Sequence, residues 1–449
     1  MSLKLSAGAS TSNITPPLGC SIAGGMVDRI ATDVHDELHA RCPVLDNGQT
    51  RLAIVLCDLC ALPIEPIARA KHLIHGHTGI PVANILVAAT HTHSAPAAAH
   101  LFQSIPDPPY LDWLAVRIAD GARRAVNRLE PARIGWGVGR EDRLVFNRRY
   151  FMKAGTIPPD PFGGSTDRVL MNPGVGNPNV IKPAGPIDPE VTVLAVEAAD
   201  GRPISLLASY ALHYVGGEAR GHLSADYFRF WCEAMQRAAG ARFVPILANG
   251  CSGDVNGVDV RGPAEKHPPY FKMRQTADIL AAECYRTWRS LRFEDSVALA
   301  AAEEELDLEV RLPPPADVAA ARRLLAAAPG SGPLRERQHI YARETVILAE
   351  SWPKKIKTPV QALRIGQLGI ATFPGEAFVE LGLEVKQKSP LRPTMLIELA
   401  NDYRGYLPTA EGHELGGYET WRAKSSFLEK QAAPKMVAAA LRQLGRLAG

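Results

Sequence analysis

Apolar runs of strand length alternate with helix-period segments along most of the chain. Residues 51–62, which read Arg-Leu-Ala-Ile-Val-Leu-Cys-Asp-Leu-Cys-Ala-Leu, and residues 84–90 are nearly continuous apolar runs. Such runs predict strands buried on both faces. Between them, 63–76 predicts a helix opened by two prolines. In 109–129, Tyr110, Leu114, Ile118 and Ala122 share one face of a helix while Arg117 and Arg124 lie away from it. Further strands are expected at 191–197, 204–212, 243–248, 360–365, 368–373 and 394–399. Further helices are expected at 225–239, 272–290, 315–327, 334–351, 376–387 and 422–446. The alternation predicts an α/β chain of mixed β-sheets covered by helices.

Two stretches interrupt this pattern. Residues 152–189 are rich in Gly, Pro and Asn, and a loop of that length inside a compact chain is functional or mobile. Prolines 313–315 and the Pro-Gly-Ser-Gly-Pro at 329–333 flank a helical excursion over about 313–351. Neither stretch has the composition of a linker between independent domains, so residues 1–449 are expected to form a single domain. Its 46% hydrophobic residues suffice for a sizeable core.

Charge narrows the function. Fifty basic residues against 47 acidic ones leave +3, with no basic stripe interleaved with aromatics, which argues against a nucleic-acid partner. The N-terminus lacks the apolar core of a signal peptide, and no run of about 18 apolar residues predicts a membrane anchor. The seven cysteines are scattered, and Cys57 and Cys60 read as buried thiols rather than a redox pair. A reducing cytoplasm is the expected location.

The strongest chemical signal is Ala-Thr-His-Thr-His-Ser-Ala-Pro at 89–96, directly after a predicted strand. In an extended chain His91 and His93 point the same way. Both imidazoles then reach one point past the strand's end, although a pair of hydrogen-bonded loop histidines would share this pattern. His213 also ends a predicted strand, where a satisfied core histidine is the alternative. Glu376 follows another strand through Pro374-Gly375, where it could instead complement a helix dipole. A His/His/Glu set with an open position is the pattern of catalytic rather than structural zinc. The segment His35-Asp36-Glu37-Leu38-His39 has its glutamate at the wrong offset for a metalloprotease helix and reads as structural. Asp226 and Ser224 compete to cap the helix near His213.

The chain resembles the catalytic domain of the neutral/alkaline (non-lysosomal) ceramidase family. The resemblance runs from Ile14-Thr15-Pro16-Pro17-Leu18-Gly19 to about Tyr418. It is carried by the H-T-H-S element, Phe146-Asn147-Arg148, His213, Pro374-Gly375-Glu376 and the tyrosines near the end. It implies that His91, His213 and Glu376 hold one zinc ion per chain at the C-terminal ends of strands. It also implies that Tyr406, in Asp402-Tyr403-Arg404-Gly405-Tyr406, completes the site. His93, Arg148 and a second tyrosine twelve residues on, Tyr418, match positions that contact substrate or act in catalysis.

The departures bear on substrate. The family's active-site serine, in a G-D-V-S-P-N-like turn, is replaced by Asn256 in Gly253-Asp254-Val255-Asn256-Gly257, with Ser252 four residues off register. The segment after Tyr418 is changed to Glu419-Thr420-Trp421-Arg422-Ala423. The family's C-terminal immunoglobulin-like domain is not expected in this chain. The reading is a zinc-dependent hydrolase cleaving an amide, ester or lactone bond by metal-activated water. Its small-molecule substrate is expected to be smaller and more polar than ceramide, with Asn256 and Ser252 facing it. A true ceramidase, a zinc-binding protein without hydrolytic activity and a metal-dependent lyase are the alternatives, and the sequence does not fix the oligomeric state.

Overall fold

The computed structural model describes residues 4–328, 330 and 332–449. Strands β1 (Ser6–Asn13), β2 (His39–Asp46), β3 (Arg51–Cys57), β4 (Ile85–Ala89), β5 (Glu130–Arg140), β6 (Glu190–Ala198), β7 (Pro203–Tyr210) and β8 (Val244–Asn249) form one sheet. Their order is β8-β7-β6-β5-β1-β2-β3-β4. All neighbours are antiparallel except at the edges, where β3 pairs with β4 and β7 with β8 in parallel. A second sheet holds β9 (Leu299–Glu309), β10 (Lys355–Ile365), β11 (Leu368–Phe373) and β12 (Thr394–Glu398), with β11 and β12 parallel.

The continuous apolar runs follow from burial on both faces. In β3, Leu52, Ile54 and Leu56 point into a core shared with the second sheet, where they meet Ile370, Met395 and Ile397. The alternate residues Ala53, Val55 and Cys57 point the other way, into a core covered by α1 (Ile64–Thr78) and α2 (Pro108–Val126). The same side-chain period of two divides β6, whose Val191, Val193 and Ala195 face α3 (Asp226–Ala239) and α4 (Phe271–Arg289). Helices α5 (Pro315–Ala326) and α6 (Arg337–Ser351) form the excursion expected across 313–351. Helices α7 (Val379–Lys388) and α8 (Ala432–Ala448) cover the outer face of the second sheet. The result is four layers, helices on sheet on sheet on helices. Among the described residues no helix is long and apolar enough to cross a membrane.

Three expected helices begin later than their periodicity indicates, the one expected from 334 starting at Arg337. The helix expected from residue 422 starts at Ala432. Arg311 donates to the carbonyls of Thr420, Ser426 and Leu428, which holds that stretch irregular. The helix expected from 376 starts at Val379, with buried carboxylates on the N–H groups of Ala377 before it and of Val379 itself. Glu398 accepts from Ala377, and Asp254 accepts from Val379. Residues 376–377 instead pair with Tyr406–Leu407. The loop 152–189 contains two short strands, Val169–Met171 and Val180–Pro183, that flank Arg149–Met152 in a small sheet.

The two sheets are tied together where β4, β7 and β11 end. Ser209 Oγ donates to the Leu396 carbonyl and Asn401 N–H to that of Val87. The segments leaving these three strands enter a common site.

Candidate metal centre

His91 lies two residues past β4 and has φ +73°, so the chain turns sharply there rather than running extended. A positive φ at a non-glycine residue is a local strain of the kind found at functional sites. His91 and His93 converge through this turn and not through strand alternation. His213 lies three residues past β7, and Glu376 three past β11.

These segments bring three ligand-type atoms together. His91 Nε2 is 3.1 Å from His213 Nε2. Glu376 Oε2 is 3.4 Å from the first and 3.8 Å from the second. The circumcentre of that triangle lies about 2.0 Å from each corner, the length of a zinc–nitrogen or zinc–carboxylate bond.

The hydrogen bonds behind the ligands sharpen this fit. His91 Nδ1 faces the Cys60 carbonyl at 2.7 Å, and His213 Nδ1 faces the Ser252 carbonyl at 3.1 Å. A carbonyl only accepts, so each Nδ1 carries the proton and each Nε2 presents a lone pair. Two lone pairs then face each other at 3.1 Å beside Glu376 Oε2, a buried oxygen with no hydrogen-bond partner among the described residues. A metal ion satisfies such a set, as does a proton on His91 Nε2, and the three residues are of the types that fit a metal ion. The other oxygen of Glu376 accepts from the Tyr403 hydroxyl at 2.7 Å, which orients the carboxylate.

A proton and a metal ion compete for the Nε2 of His91. Burial disfavours charge on His91, but Glu376 and Cys60 outweigh it and raise its pKa well above the usual value. Burial, followed by His91 and neighbouring arginines, holds His93 and His213 well below theirs. His93 is thereby kept neutral. Its ring stacks on Tyr214 with centroids 3.6 Å apart and makes a hydrogen bond to the Gly24 backbone. Its Nε2 lies 3.2 Å from that of His91. Cys60, His91 and His93 form a second grouping of ligand types that shares His91 with the first.

Arg148 is buried beside the triangle. Its Nη1 is 3.3 Å from His213 Nε2, its Nη2 donates to the Tyr406 hydroxyl at 3.0 Å, and its Nε donates to Glu419 at 2.9 Å. A cavity of about 30 Å³ opens over the site, bounded by Leu101, Phe102, Tyr403, Tyr406 and Tyr418.

Of the residues singled out in the sequence, His91, His93, His213, Glu376, Arg148, Tyr406 and Tyr418 come together here. Ser252 and Asn256 lie outside the residues that line this cavity. Ser252 stands behind His213, its hydroxyl donating to Glu398. Asn256 donates to Asn172 and accepts from Val258 N–H, which occupies both ends of its amide. Asp226 accepts from the N–H groups of Val215 and Gly216, fixing the loop after His213, while Ser224 Oγ caps the Asp226 N–H. Four contributors were missed. Tyr214 and Glu419 sit next to residues already selected, and Tyr403 lay within the tyrosine cluster. Cys60 carries no signal that its carbonyl would hold a histidine. All seven cysteines are unpaired, and Cys57 and Cys60 are buried.

No family model matches the chain. It is 23% identical over 450 aligned residues to the neutral ceramidase of Pseudomonas aeruginosa, an alignment that takes in 86% of this chain and 64% of that protein. The chain therefore spans just under two thirds of that relative's length. A crystal structure of neutral ceramidase from the same organism superposes with a TM-score of 0.74 at 18% identity, covering 99% of this chain and 75% of that one. A ceramidase complexed with C2 gives 0.73 at 16% identity over the same shares. In sequence and in fold, the chain is neutral ceramidase-like, a divergent relative of that protein.

Proposed function

We propose that this chain is a zinc-dependent hydrolase that cleaves an amide bond, with ester or lactone cleavage needing the same parts. The observation that carries this reading is the triangle of His91, His213 and Glu376 atoms at metal-ligand spacing, beside a histidine held neutral. The likeness to neutral ceramidase supports amide chemistry, since ceramide is an N-acyl amide. Tyr406 is the fourth ligand that the family resemblance supplies.

Bound there, zinc supplies Lewis acidity for a carbonyl oxygen and acidifies a water. His93, with a free lone pair on Nε2, accepts a proton there and returns it to the leaving nitrogen. Arg148 places a permanent positive charge beside the reacting atoms, where it stabilises a developing oxyanion. Tyr403 fixes the Glu376 carboxylate, and the Cys60 and Ser252 carbonyls fix the two ligand imidazoles. Leu101 and Phe102 restrict water over the site.

The substrate we propose is smaller and more polar than ceramide. The support is the changed sequence at Asn256 and over Glu419–Ala423; the cavity over the ligands, about 30 Å³ against roughly 300–1,000 Å³ for ligand pockets, takes in the reacting group alone. The test is zinc content measured together with turnover on a panel of N-acyl amides, esters, lactones and a long-chain ceramide. Zinc-dependent turnover of a short-chain substrate above that of ceramide is expected. Faster hydrolysis of the ceramide would return the chain to a plain ceramidase, and zinc without any turnover would remove the hydrolase reading.

A further inference from the structure

We propose that a second pocket, beside the metal centre, binds a carboxylate carried by the substrate, with Arg337 as its cation and Trp421 as its platform. The pocket measures about 70 Å³ and is lined by Met26, Val169, Met171, Tyr418, Trp421 and Arg337, among others. Tyr418 also bounds the metal cavity, so the two spaces adjoin at this residue. It stands edge-on to Tyr406, with centroids 5.7 Å apart, and to Trp421 at 6.0 Å.

Arg337 places its Cζ 5.4 Å from the centroid of the Trp421 ring. The neighbouring cations are already matched: Arg422 with Asp317, and Arg343 and Lys424 with Glu344. Among the described residues Arg337 has no carboxylate partner. A guanidinium stacked on an indole keeps its N–H edge free, and that edge matches a carboxylate in a bidentate pair. Asp167 is the one carboxylate in the lining. Its oxygens accept from Gly417 N–H at 2.9 Å and from Trp421 Nε1–H at 2.8 Å, so it anchors the pocket wall and orients the indole.

The two spaces define a substrate class. The reacting carbonyl sits at the metal, a short apolar spacer passes Tyr418, and a carboxylate ends at Arg337. Ceramide has no such group. The position of the reacting end rests on the hydrolase reading, whereas the carboxylate site does not.

The test therefore has one arm without turnover. Hexanoate and hexanamide are titrated by calorimetry into the zinc-loaded protein and into Arg337→Gln. Any binding of hexanoate to zinc is common to both proteins. Hexanoate is expected to bind the variant about tenfold more weakly, the loss of a charge-assisted pair at an open site, with hexanamide unchanged. In the second arm, an N-acyl amide ending in a carboxylate is compared with its methyl ester. Arg337→Gln should raise KM for the acid at unchanged kcat and leave the ester alone. Equal hexanoate affinity in both proteins overturns the site. A tenfold loss without hydrolysis of either amide retains the site and overturns the hydrolase reading.

Discussion

Glu419 accepts the Nε–H of Arg148 at 2.9 Å and lies 3.4 Å from the Nε of Arg149, so one buried carboxylate stands between two adjacent arginines. Only Arg148 turns to the metal centre; Arg149 runs to the Gly412 carbonyl. Glu419 thus aims Arg148 without touching the reacting atoms. Glu419→Gln should keep its zinc and lose activity about 10–100-fold, the range for groups that orient a metal site's neighbours. The loss should fall on kcat, and Glu419→Asp should restore part of it. Unchanged kcat in a folded, zinc-bound Glu419→Gln protein would remove this positioning role.

Gly24 sets the place of His93. A β-carbon there would come within 2.4–2.6 Å of the imidazole, and the residue's φ of +95° disfavours any other side chain. Gly24→Ala should displace the ring and cost on the order of 10² in rate. Zinc content should be unaffected, because the ring that moves is not a ligand. Steady-state kinetics with metal analysis checks both halves, and wild-type kcat would show that His93 does not depend on this contact.

His93 itself separates catalysis from ligation. Its Nε2 approaches His91, while the triangle around the proposed ion closes without it. His93→Ala should retain zinc and lose about 10²–10⁴-fold in rate, the contribution of a positioned acid or base. Loss of the metal in this variant would make His93 a ligand and reverse its assignment with a neighbour.

The sequence carried the layered α/β arrangement because strands such as Arg51–Cys57 and Ile85–Ala89 are apolar on both faces. It missed three strands of the large sheet, β1, β2 and β5, and also β9, an edge strand whose Glu303, Glu304, Glu305 and Asp307 do not read as buried. The three candidate ligands stood out because each follows a recognisable strand by two or three residues. Asn256 was selected on a turn motif, which identifies a position in the chain but not the direction of its side chain, here turned to Asn172. The helix expected from 422 failed for a long-range reason, the guanidinium of Arg311, which local periodicity does not register.

Away from the candidate metal centre, the buried Asp254 and the half-buried Glu380 form a carboxyl pair. Burial, and then Asp254, raise Glu380 from 4.5 to about 8, and the pKa of Asp254 is raised as well. The folded protein therefore holds a proton that the unfolded chain has released over that interval. The group's stabilising contribution is complete below about pH 4.5 and is lost as pH rises through about 8. Glu380→Gln imitates the protonated form at every pH. Its Tm should fall less than that of the wild type between about pH 5 and about pH 8.5. Parallel Tm profiles for the two proteins would contradict the shared proton.

The most direct test of the central claim is metal stoichiometry by elemental analysis of the purified protein and three ligand variants. About one zinc per chain is expected in the wild type, with loss of bound zinc in His91→Ala, His213→Ala and Glu376→Ala, because three protein ligands hold a catalytic zinc. A wild-type protein that binds no metal when zinc is supplied, or full zinc retention in all three folded variants, would contradict the account.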